Sequence, residues 1–549
     1  MSIPRRLSLL FTAVLLLGAP CSCAPEADFF DEDPPSLDER INAFMDQPTY
    51  YVTRVIFYSI KLGNDSEGRF TVLLPPILSY RAHLATKDTP PDPRTAGLTD
   101  LPLVLIWLAA AAIFLTLYFG FVNLRSWRLA VRTVRGRYTR PDDPGQVTHF
   151  QALTAALSGT VGLGNIAGVA IAIQLGGPGA TVWMILMGLF GMTSKFAECT
   201  LGVKYRDIAP NGRVYGGPMH YLTRGLQERG LGSFGSILAV FFALMCIGGS
   251  FGGGNMFQIN SATDQFVQTI GGENWQDSFF AQNRWIFGLI VAVLVALVIL
   301  GGIVSIARVT SKLVPFMCGI YVLAALTVVF VNFTKIPEAI QLILLGAIDP
   351  QAVQGGFLGA MFVGIKRAAF SNEAGVGSAS IAHSAVKTSK PASEGIVALL
   401  EPFVDTVVVC TMTALAITIT GVFADKDAAG IEMTSRAFTT VLPWFSYILS
   451  MAAILFAFST MISWSYYGQQ AWAFLFGRSN SMDILYKLIF CSFIVVGSAM
   501  TLTNATDFSD AMIFAMSIPN VIGMYFLLPV IRKELAAFRK HAAEIDGQS

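Results

Sequence analysis

The chain has 549 residues, of which 54% are hydrophobic and only 13% are charged, and its mean hydropathy is positive. This composition excludes a soluble globular protein and indicates an integral membrane protein. The formal net charge of +1, without a basic run interleaved with aromatic residues, speaks against a nucleic-acid partner.

Residues 1–24 have the layout of a secretory signal peptide. Arg5 and Arg6 precede a short apolar run, and small residues follow it. The small residues suit cleavage after Ala24, while Pro25 disfavours it. An uncleaved anchor is therefore the alternative.

Residues 25–100 are acidic and mixed in character, with linker-like ends. Two runs rich in β-branched and aromatic residues flank the turn-like stretch GNDSEG. Such runs around a turn predict a hairpin or short amphipathic elements. We expect a small extracytoplasmic insert without chemistry of its own.

Apolar segments long enough to cross a bilayer as helices, at about 20 residues each, recur after residue 100. The pattern predicts eleven transmembrane helices, near 101–123, 150–174, 180–203, 236–268, 285–306, 312–333, 357–384, 396–422, 443–475, 482–503 and 510–532. The chain is therefore predicted to be an all-α integral membrane protein.

The distribution of charge predicts how these helices are oriented. Lys and Arg collect in every second loop, beginning with RSWRLAVRTVRGRYTR after the first helix, whereas the intervening loops are neutral or acidic. By the positive-inside rule the basic loops face the cytoplasm. The insert then lies outside, the tail at 534–549 lies in the cytoplasm, and a bacterial inner membrane is the expected location.

The stretch SGTVGLGNIAGVA, residues 158–170, places four glycines inside an apolar segment. Each costs about 0.8–1.0 kcal/mol relative to alanine in a helix interior, so local unwinding is predicted. Irregular backbone within a membrane survives only where protein or water covers it. Lining of a cavity is one interpretation, and close helix packing through the GxxxG spacing of Gly164 and Gly168 is the other.

The stretch AFSNEAGVGSAS, residues 369–380, repeats the pattern of a G-x-G beside an asparagine. If 101–123 is an extra helix, the two stretches fall in the first and sixth of ten helices. They then head two five-helix repeats, 150–333 and 357–533, which insert with opposite orientation. Interrupted helices at matching positions of inverted halves are typical of a transporter's binding site. Unpaired N–H groups there attract a carboxylate, and unpaired C=O groups attract a cation.

At these residues the sequence resembles the alanine/glycine:cation symporter family, also called sodium:alanine symporters. The resemblance lies in FQALTAALSGTVGLGNIAGVAIAI, LGGPGATVWMILMGLFGMTSKFAE, GGGNMFQINSATD, FSNEAGVGSASIAHSA and EPFVDT, and covers roughly residues 100–533. It implies a leucine-transporter-like fold of 5+5 helices. It also implies sodium-coupled import of alanine, glycine or similar small amino acids by alternating access.

The expected substrate site combines both glycine stretches with the segment GGSFGGGNMFQINSATD. The first stretch is expected to offer backbone amides to the substrate carboxylate, and Phe370 to close an apolar pocket over its side chain. The resemblance places Gly253 and Gln258 beside the substrate. The predicted substrate-binding residues are Thr160, Gly162, Gly164, Asn165, Gly253, Gln258, Phe370 and Asn372.

Several of these residues have a plain structural alternative. Thr160 could bond its own helix backbone, and Gln258 could join two helices by a hydrogen bond. Glu373 could neutralise a cation or the substrate ammonium, or bond backbone at the break. The remaining charged residues, Lys195, Glu198, His383, Glu401 and Asp405, are interpreted as structural and placed near helix ends.

Sodium is the expected coupling ion, and no other cofactor is implied. A hard cation prefers oxygen ligands, and the stretch LFAFSTMISWS offers Ser459, Thr460 and Ser463. Ser459 and Ser463 are four residues apart and so share a helix face. The alternative is that these hydroxyls only satisfy their own backbone.

Three other functions compete with a sodium symporter. An intramembrane enzyme would need a motif such as HExxH or GxGD, or a Cys/His metal cluster, and the sequence has none of these. A proton-coupled amino-acid transporter working through Glu373 and a non-transporting amino-acid sensor with the same pocket both remain open. The lipid bilayer, sodium and alanine or glycine are the expected partners, and the sequence specifies no oligomeric state.

Overall fold

The computed structural model describes residues 37–64, 70–73, 99–349, 356–425, 428–441 and 443–547. The predicted signal peptide and parts of the predicted insert at 25–100 lie outside the described residues.

The described chain is mostly helical. The helices of its first half are α1 (Leu37–Ile56), α2 (Leu103–Tyr118), α3 (Val122–Arg125), α4 (Trp127–Val134), α5 (His149–Thr160), α6 (Ala167–Gly176), α7 (Ala180–Lys204), α8 (Pro218–Glu228), α9 (Gly232–Phe251), α10 (Phe257–Gly271), α11 (Phe279–Gln282), α12 (Arg284–Ile299) and α13 (Gly302–Val331). Those of the second half are α14 (Ile336–Gly346), α15 (Gly356–Asn372), α16 (Ala379–His383), α17 (Pro391–Ala398), α18 (Leu400–Pro402), α19 (Thr411–Thr420), α20 (Ile431–Thr439), α21 (Phe445–Phe476), α22 (Asn480–Ala499) and α23 (Leu502–Gly547).

Shorter helical turns connect several of these helices. The 3₁₀ turns are Leu163–Asn165, Gly272–Asp277, Phe333–Lys335 and Val422–Ala424, and the π segments are Gly252–Met256 and Phe403–Cys410. The two π segments make α9 continuous with α10, and α17 with α19, as long helical spans at Gly232–Gly271 and Pro391–Thr420. Each π segment lies within an apolar span, where an irregular turn changes the direction of side chains without ending the helix.

Length and apolar composition identify membrane spans within the described part of the chain. Seven helices pass this test, and an eighth is counted if α5 and α6 form one span bent by 58°. Two further apolar helices, α2 and α12, are shorter, at 16 residues each. The chain is therefore a multi-pass helical membrane protein.

The described part of the insert combines a helix with a small sheet, where a hairpin or short amphipathic elements were predicted. Strand β1 (Ser59–Asn64) lies between β2 (Phe70–Leu73) and β3 (Thr99–Pro102), antiparallel to both. Helix α1 packs against the start of α23, where the Asn504 side-chain amide donates to Asn42 at 2.7 Å. The insert is thus docked onto the helical core.

Helix α23 extends beyond the predicted 510–532 span and continues through the predicted tail. Near its end, Asp546 accepts hydrogen bonds from Arg132 at 2.8 Å and Arg137 at 2.7 Å. Glu534 on the same helix pairs with Lys204 at 2.6 Å. The end of the chain therefore lies on the same side as the basic loops that follow α2 and α7.

A second short sheet lies on this side, where β4 (Asp207–Ile208) pairs with β5 (Val214–Tyr215). The Arg206 guanidinium donates to the carbonyls of Pro144 and Thr388, at 2.7 Å each. Burial lowers the pKa of Arg206 to about 10, which leaves it charged at neutral pH. Together with a parallel bridge between Val147 and Val386, this arginine ties the chain before α5 to the chain after α16.

Candidate substrate and cation site

The first glycine stretch is a true break in the membrane helix. Helix α5 ends at Thr160 and helix α6 begins at Ala167. Between them, the Gly162 amide donates to the Asn165 side-chain oxygen at 2.9 Å, and the Leu163 amide donates to Gln258 at 3.0 Å. Side chains therefore satisfy the amides that the helix leaves unpaired.

The space around the glycines shows which of them brings the break close to another helix. A Cβ added to Gly162 would lie 2.5 Å from the Thr460 hydroxyl oxygen, so a side chain at this position would displace that hydroxyl. A Cβ on Gly164 would make ordinary contact with Phe370 at 3.6 Å, and one on Gly168 would have nothing within 4 Å. The close approach is thus made by Gly162 toward α21, and not by the Gly164–Gly168 pair toward another helix.

The second glycine stretch is also a break, between α15 and α16. Glu373, Gly375 and Gly377 have positive φ angles of 54°, 82° and 97°. The Asn372 side chain donates to the Thr406 hydroxyl at 2.9 Å and accepts from the Ala374 amide at 3.0 Å. Both predicted interruptions are therefore confirmed, and the second one is held in left-handed backbone that glycine tolerates best.

Glu373 is bonded within the protein at the second break. Its carboxylate accepts from the Trp464 indole N–H at 2.9 Å and from the Ser378 hydroxyl. Both contacts agree with the structural alternative for this residue, because they fix the break to α21 and to the start of α16.

Gln258 connects the first break to the π segment. Its side-chain oxygen accepts from the Leu163 amide, and its N–H donates to the Gly253 carbonyl at 2.9 Å. A Cβ on Gly253 would lie 2.3 Å from Ile513 and 3.4 Å from Phe370. The structure thus brings Gly162, Gly164, Gly253, Gln258 and Phe370 together around one point.

Other predicted residues lie at the margin of this group. The Thr160 hydroxyl is 3.4 Å from the Ala156 carbonyl of its own helix, which matches its structural alternative. Asn165 supports the break through its side chain, and Asn372 does the same at the second break. Phe370 contacts Phe257 edge to face, with ring centroids 5.2 Å apart, and so closes one side of the site.

The three predicted sodium ligands on α21 differ in their hydrogen bonding. The Ser459 hydroxyl donates to the Phe456 carbonyl of its own helix at 2.9 Å. The Thr460 and Ser463 hydroxyls, 1% and 2% exposed, have no hydrogen-bond partner among the described residues. The Thr460 hydroxyl lies beside Gly162. Buried, unpartnered oxygens fit a hard cation, so the donor set suits sodium at Thr460 and Ser463 better than at Ser459.

Asp405 was interpreted as a structural residue near a helix end, and this placement was wrong. Asp405 is fully buried in the Phe403–Cys410 π segment, between the two breaks. Its carboxylate accepts from Asn165 at 2.7 Å and from the Ser371 and Thr406 hydroxyls at 2.8 Å each. One side chain thus joins both breaks; EPFVDT in the family resemblance includes Asp405, but the local sequence does not show this role.

Replacing Asp405 with asparagine should lower the rate of transport about tenfold with little loss of folded protein. Asparagine preserves the size and some hydrogen bonds, but it removes the charge that strengthens all three contacts. The measurement is uptake into vesicles, with Thr406→Val as a control that removes one of the three donors. Uptake as fast as in the wild type would show that the negative charge is not needed.

His383 and Glu401 were also expected near helix ends, and both are completely buried. Glu394 lies between two histidines: it contacts Nδ1 of His149, and its other oxygen is 2.5 Å from Nδ1 of His383. The second nitrogen of His383 lies 3.4 Å from Glu401. These contacts link α5, α16 and the start of the Pro391–Thr420 span.

The buried network continues to α7. Lys195 lies 2.9 Å from Glu401, which is closer than the 3.9 Å to its predicted partner Glu198. Glu198 in turn accepts from the Asn520 side chain at 3.0 Å, and Asn520 also donates to the Gly375 carbonyl at 2.8 Å. A connected set of charged and polar groups therefore joins the second break to four surrounding helices. Sequence spacing could identify only the Lys195–Glu198 pair within it.

A multi-pass membrane protein with two interrupted helices meeting at its centre is the class that this fold and site define. The chain belongs to the sodium:alanine symporter family, whose model matches residues 95–548. The insert before residue 95 lies outside the match.

Two relatives illustrate the family. The sodium/alanine symporter AgcS of Methanococcus maripaludis is 39% identical over 443 residues, which cover 80% of this chain and 94% of that protein. The amino-acid carrier protein AlsT of Bacillus subtilis is 33% identical over 460 residues, covering 82% and 94%. Among solved structures, MhsT in complex with L-phenylalanine aligns with 13% identity and a TM-score of 0.44, covering 71% of this chain and 99% of that one.

Proposed function

We propose that this protein is a sodium-coupled symporter that imports small neutral amino acids, alanine and glycine, by alternating access. The observation that carries the proposal is the meeting of an unwound helix, at Gly162, with the unpartnered hydroxyl of Thr460, which is followed on the same helix by the unpartnered hydroxyl of Ser463. Unpartnered neutral oxygens suit a cation, and a substrate carboxylate would take the place of the Asn165 and Gln258 side-chain oxygens that hold the Gly162 and Leu163 amides. Membership of the sodium:alanine symporter family supports the same activity.

The size of the proposed substrate follows from the walls of the site. Gly253 faces Ile513 and Phe370, and a Cβ on Gly254 would lie 2.2 Å from Trp464. Bulky side chains thus crowd the glycines, which favours a substrate with a hydrogen or methyl side chain. The relative from Methanococcus maripaludis is a sodium/alanine symporter, which agrees with a substrate of this size.

The proposed architecture is the one expected from the sequence. Eleven membrane helices are proposed, with 101–123 as an extra helix and with 5+5 inverted repeats at 150–333 and 357–533. The insert is placed outside a bacterial inner membrane and the C-terminus in the cytoplasm. The contacts of Asp546 and Glu534 with residues of two basic loops support this orientation of the C-terminus.

The test is uptake of labelled alanine into proteoliposomes containing the purified protein, with an inward sodium gradient or with potassium in its place. Sodium-dependent accumulation that competes with glycine is expected. Gln258→Ala should reduce it at least tenfold, because the Leu163 amide and the Gly253 carbonyl both lose their partner. Asn283→Ala, at a helix end beyond the site, is the control and should transport normally.

The outcomes also separate the alternatives. Accumulation driven by a pH gradient without sodium, and abolished by Glu373→Gln, would replace sodium coupling with proton coupling. Saturable alanine binding without any flux, in protein shown to be folded, would favour the sensor. Neither binding nor flux would contradict the proposed substrate class.

A further inference from the structure

Helix α21 carries a line of polar groups that extends beyond the two candidate sodium ligands. Thr460, Ser463, Tyr467 and Gln470 follow one another at intervals of three or four residues. At 3.6 residues per turn they fall within an arc of about 80° on one face of the helix. All four side chains are buried, with exposures of 1%, 2%, 0% and 3%.

These four residues share an unusual feature. Within the described part of the chain, the hydroxyl oxygens of Thr460, Ser463 and Tyr467 and the amide oxygen of Gln470 have no hydrogen-bond partner. A buried polar group without a partner costs about 1–3 kcal/mol. Ordinary helix packing avoids this cost, so four unpartnered oxygens along one face of a single helix require an explanation.

Other hydroxyls of α21 donate hydrogen bonds to backbone carbonyls of their own helix. Ser459 donates to the Phe456 carbonyl at 2.9 Å, and Ser465 donates to the Ile462 carbonyl at 2.7 Å. The Ser463 hydroxyl makes no such bond among the described residues. The Thr460 and Tyr467 hydroxyls lie against glycines of the neighbouring segment.

The neighbouring segment is α5 with the break that follows it, where Gly159 and Gly162 leave room for the Tyr467 and Thr460 hydroxyls. A Cβ on Gly159 would lie 2.9 Å from the Tyr467 hydroxyl oxygen, just as one on Gly162 would lie 2.5 Å from that of Thr460. A narrow polar contact therefore runs between α5 and α21. Gln470, at the end of the polar line farthest from Thr460, lines a small cavity. Arg213, Tyr215 and Arg478, which belong to loops proposed to face the cytoplasm, line the same cavity.

We propose that this face of α21, from Thr460 to Gln470, is the path by which sodium leaves its site for the cytoplasm. Tyr467 and Gln470 are the additional oxygen ligands along it, and the inference rests on the proposed function. Steps of three or four residues separate the Cα atoms of these residues by about 4.5–6 Å along the axis. Neutral oxygens at this spacing bind a cation weakly enough for it to move on.

The first test compares Tyr467→Phe with Tyr466→Phe in proteoliposomes. Both remove one hydroxyl from the same helix, but only Tyr467 belongs to the unpartnered line. Net uptake into sodium-free vesicles requires sodium release at every cycle, whereas alanine exchange with sodium on both sides does not. We expect Tyr467→Phe to lower the ratio of net uptake to exchange about fivefold, with Tyr466→Phe leaving it unchanged.

A thermal measurement excludes a structural role for the same hydroxyl. Because the Tyr467 hydroxyl has no partner, its removal should leave the unfolding temperature unchanged or raise it. If the wild type transports alanine with sodium but Tyr467→Phe leaves the ratio of net uptake to exchange unchanged, the proposed sodium path is wrong. The proposed symporter function would still stand. Absence of sodium-dependent flux in the wild type would overturn both.

A second test does not depend on flux. Gln470→Cys should react with a membrane-impermeant maleimide applied from the cytoplasmic side, and sodium should change the rate of reaction. Ala471→Cys, at a buried neighbouring position outside the polar line, is the control and should stay unreactive. Equal labelling of the two variants, or labelling of Gln470→Cys from the outer side only, would overturn the proposal.

Discussion

Replacing Gly162 with alanine should reduce sodium-dependent alanine uptake more than 100-fold while the protein still folds. The new methyl group would lie 2.5 Å from the Thr460 hydroxyl oxygen and 2.9 Å from the Gln258 side-chain amide oxygen. Relief of either contact displaces a candidate sodium ligand or the residue that holds the unwound backbone. A shift of about 1 Å in such a site can cost 100-fold in rate.

Gly168→Ala is the matched control for this variant. Gly168 lies in α6, six residues after Gly162, and a Cβ there would have nothing within 4 Å. Alanine is the better helix former by about 1 kcal/mol, so stability should be equal or slightly higher. Uptake is measured as an initial rate per amount of protein that elutes as a single folded peak. If the two variants lost uptake equally, the steric argument for Gly162 would fail.

Replacing Glu401 with glutamine should destabilise the protein by about 3–5 kcal/mol. Lys195 and Glu401 are both completely buried and 2.9 Å apart, and removal of one partner leaves the other charge uncompensated. Glu198 lies farther from the Lys195 ammonium, at 3.9 Å, and is already bonded to Asn520. The measurement is the thermal unfolding midpoint in detergent, which should fall sharply.

A double substitution separates the pair from its neighbours. Lys195→Met combined with Glu401→Leu removes both charges and should be more stable than either single variant, because an apolar pair has no unpaired charge. Glu534→Gln provides the control, since its partner Lys204 belongs to the same helix as Lys195 but is 38% exposed. Loss of an exposed pair should cost no more than about 1 kcal/mol. Similar losses in Glu401→Gln and Glu534→Gln would contradict the assignment.

The sequence predicted the helices and their breaks well, for a physical reason. Apolar length is a local property, and the predicted segments 180–203 and 443–475 correspond to Ala180–Lys204 and Phe445–Phe476. The cost of glycine in a helix is local as well, and both predicted interruptions are confirmed. Within the described residues, the apolar test identifies seven or eight spans, so the count of eleven stays a prediction.

Relations between distant residues could not be predicted in the same way. Asp405 joins the two breaks through a contact with Asn165, 240 residues away. Asp405 lies in EPFVDT, one of the stretches that carry the family resemblance, but this stretch does not show which distant residues its carboxylate bonds. The hydroxyls of Ser459 and Ser463 also look alike in the sequence, and only their rotamers separate the bonded one from the unpartnered one.

The Lys195–Glu401 pair also has a consequence for how the chain is made. Its two partners are 206 residues apart, which a ribosome takes about 10–40 seconds to synthesise at 5–20 residues per second. During that interval α7 has entered the membrane with a lysine and a glutamate but without Glu401. A charged residue within an inserting helix costs up to about 2.5–3.5 kcal/mol, so we expect this helix to stay beside the insertion machinery or earlier helices until the Pro391–Thr420 span arrives. A nascent chain stopped before Glu401 should then be retained and degraded.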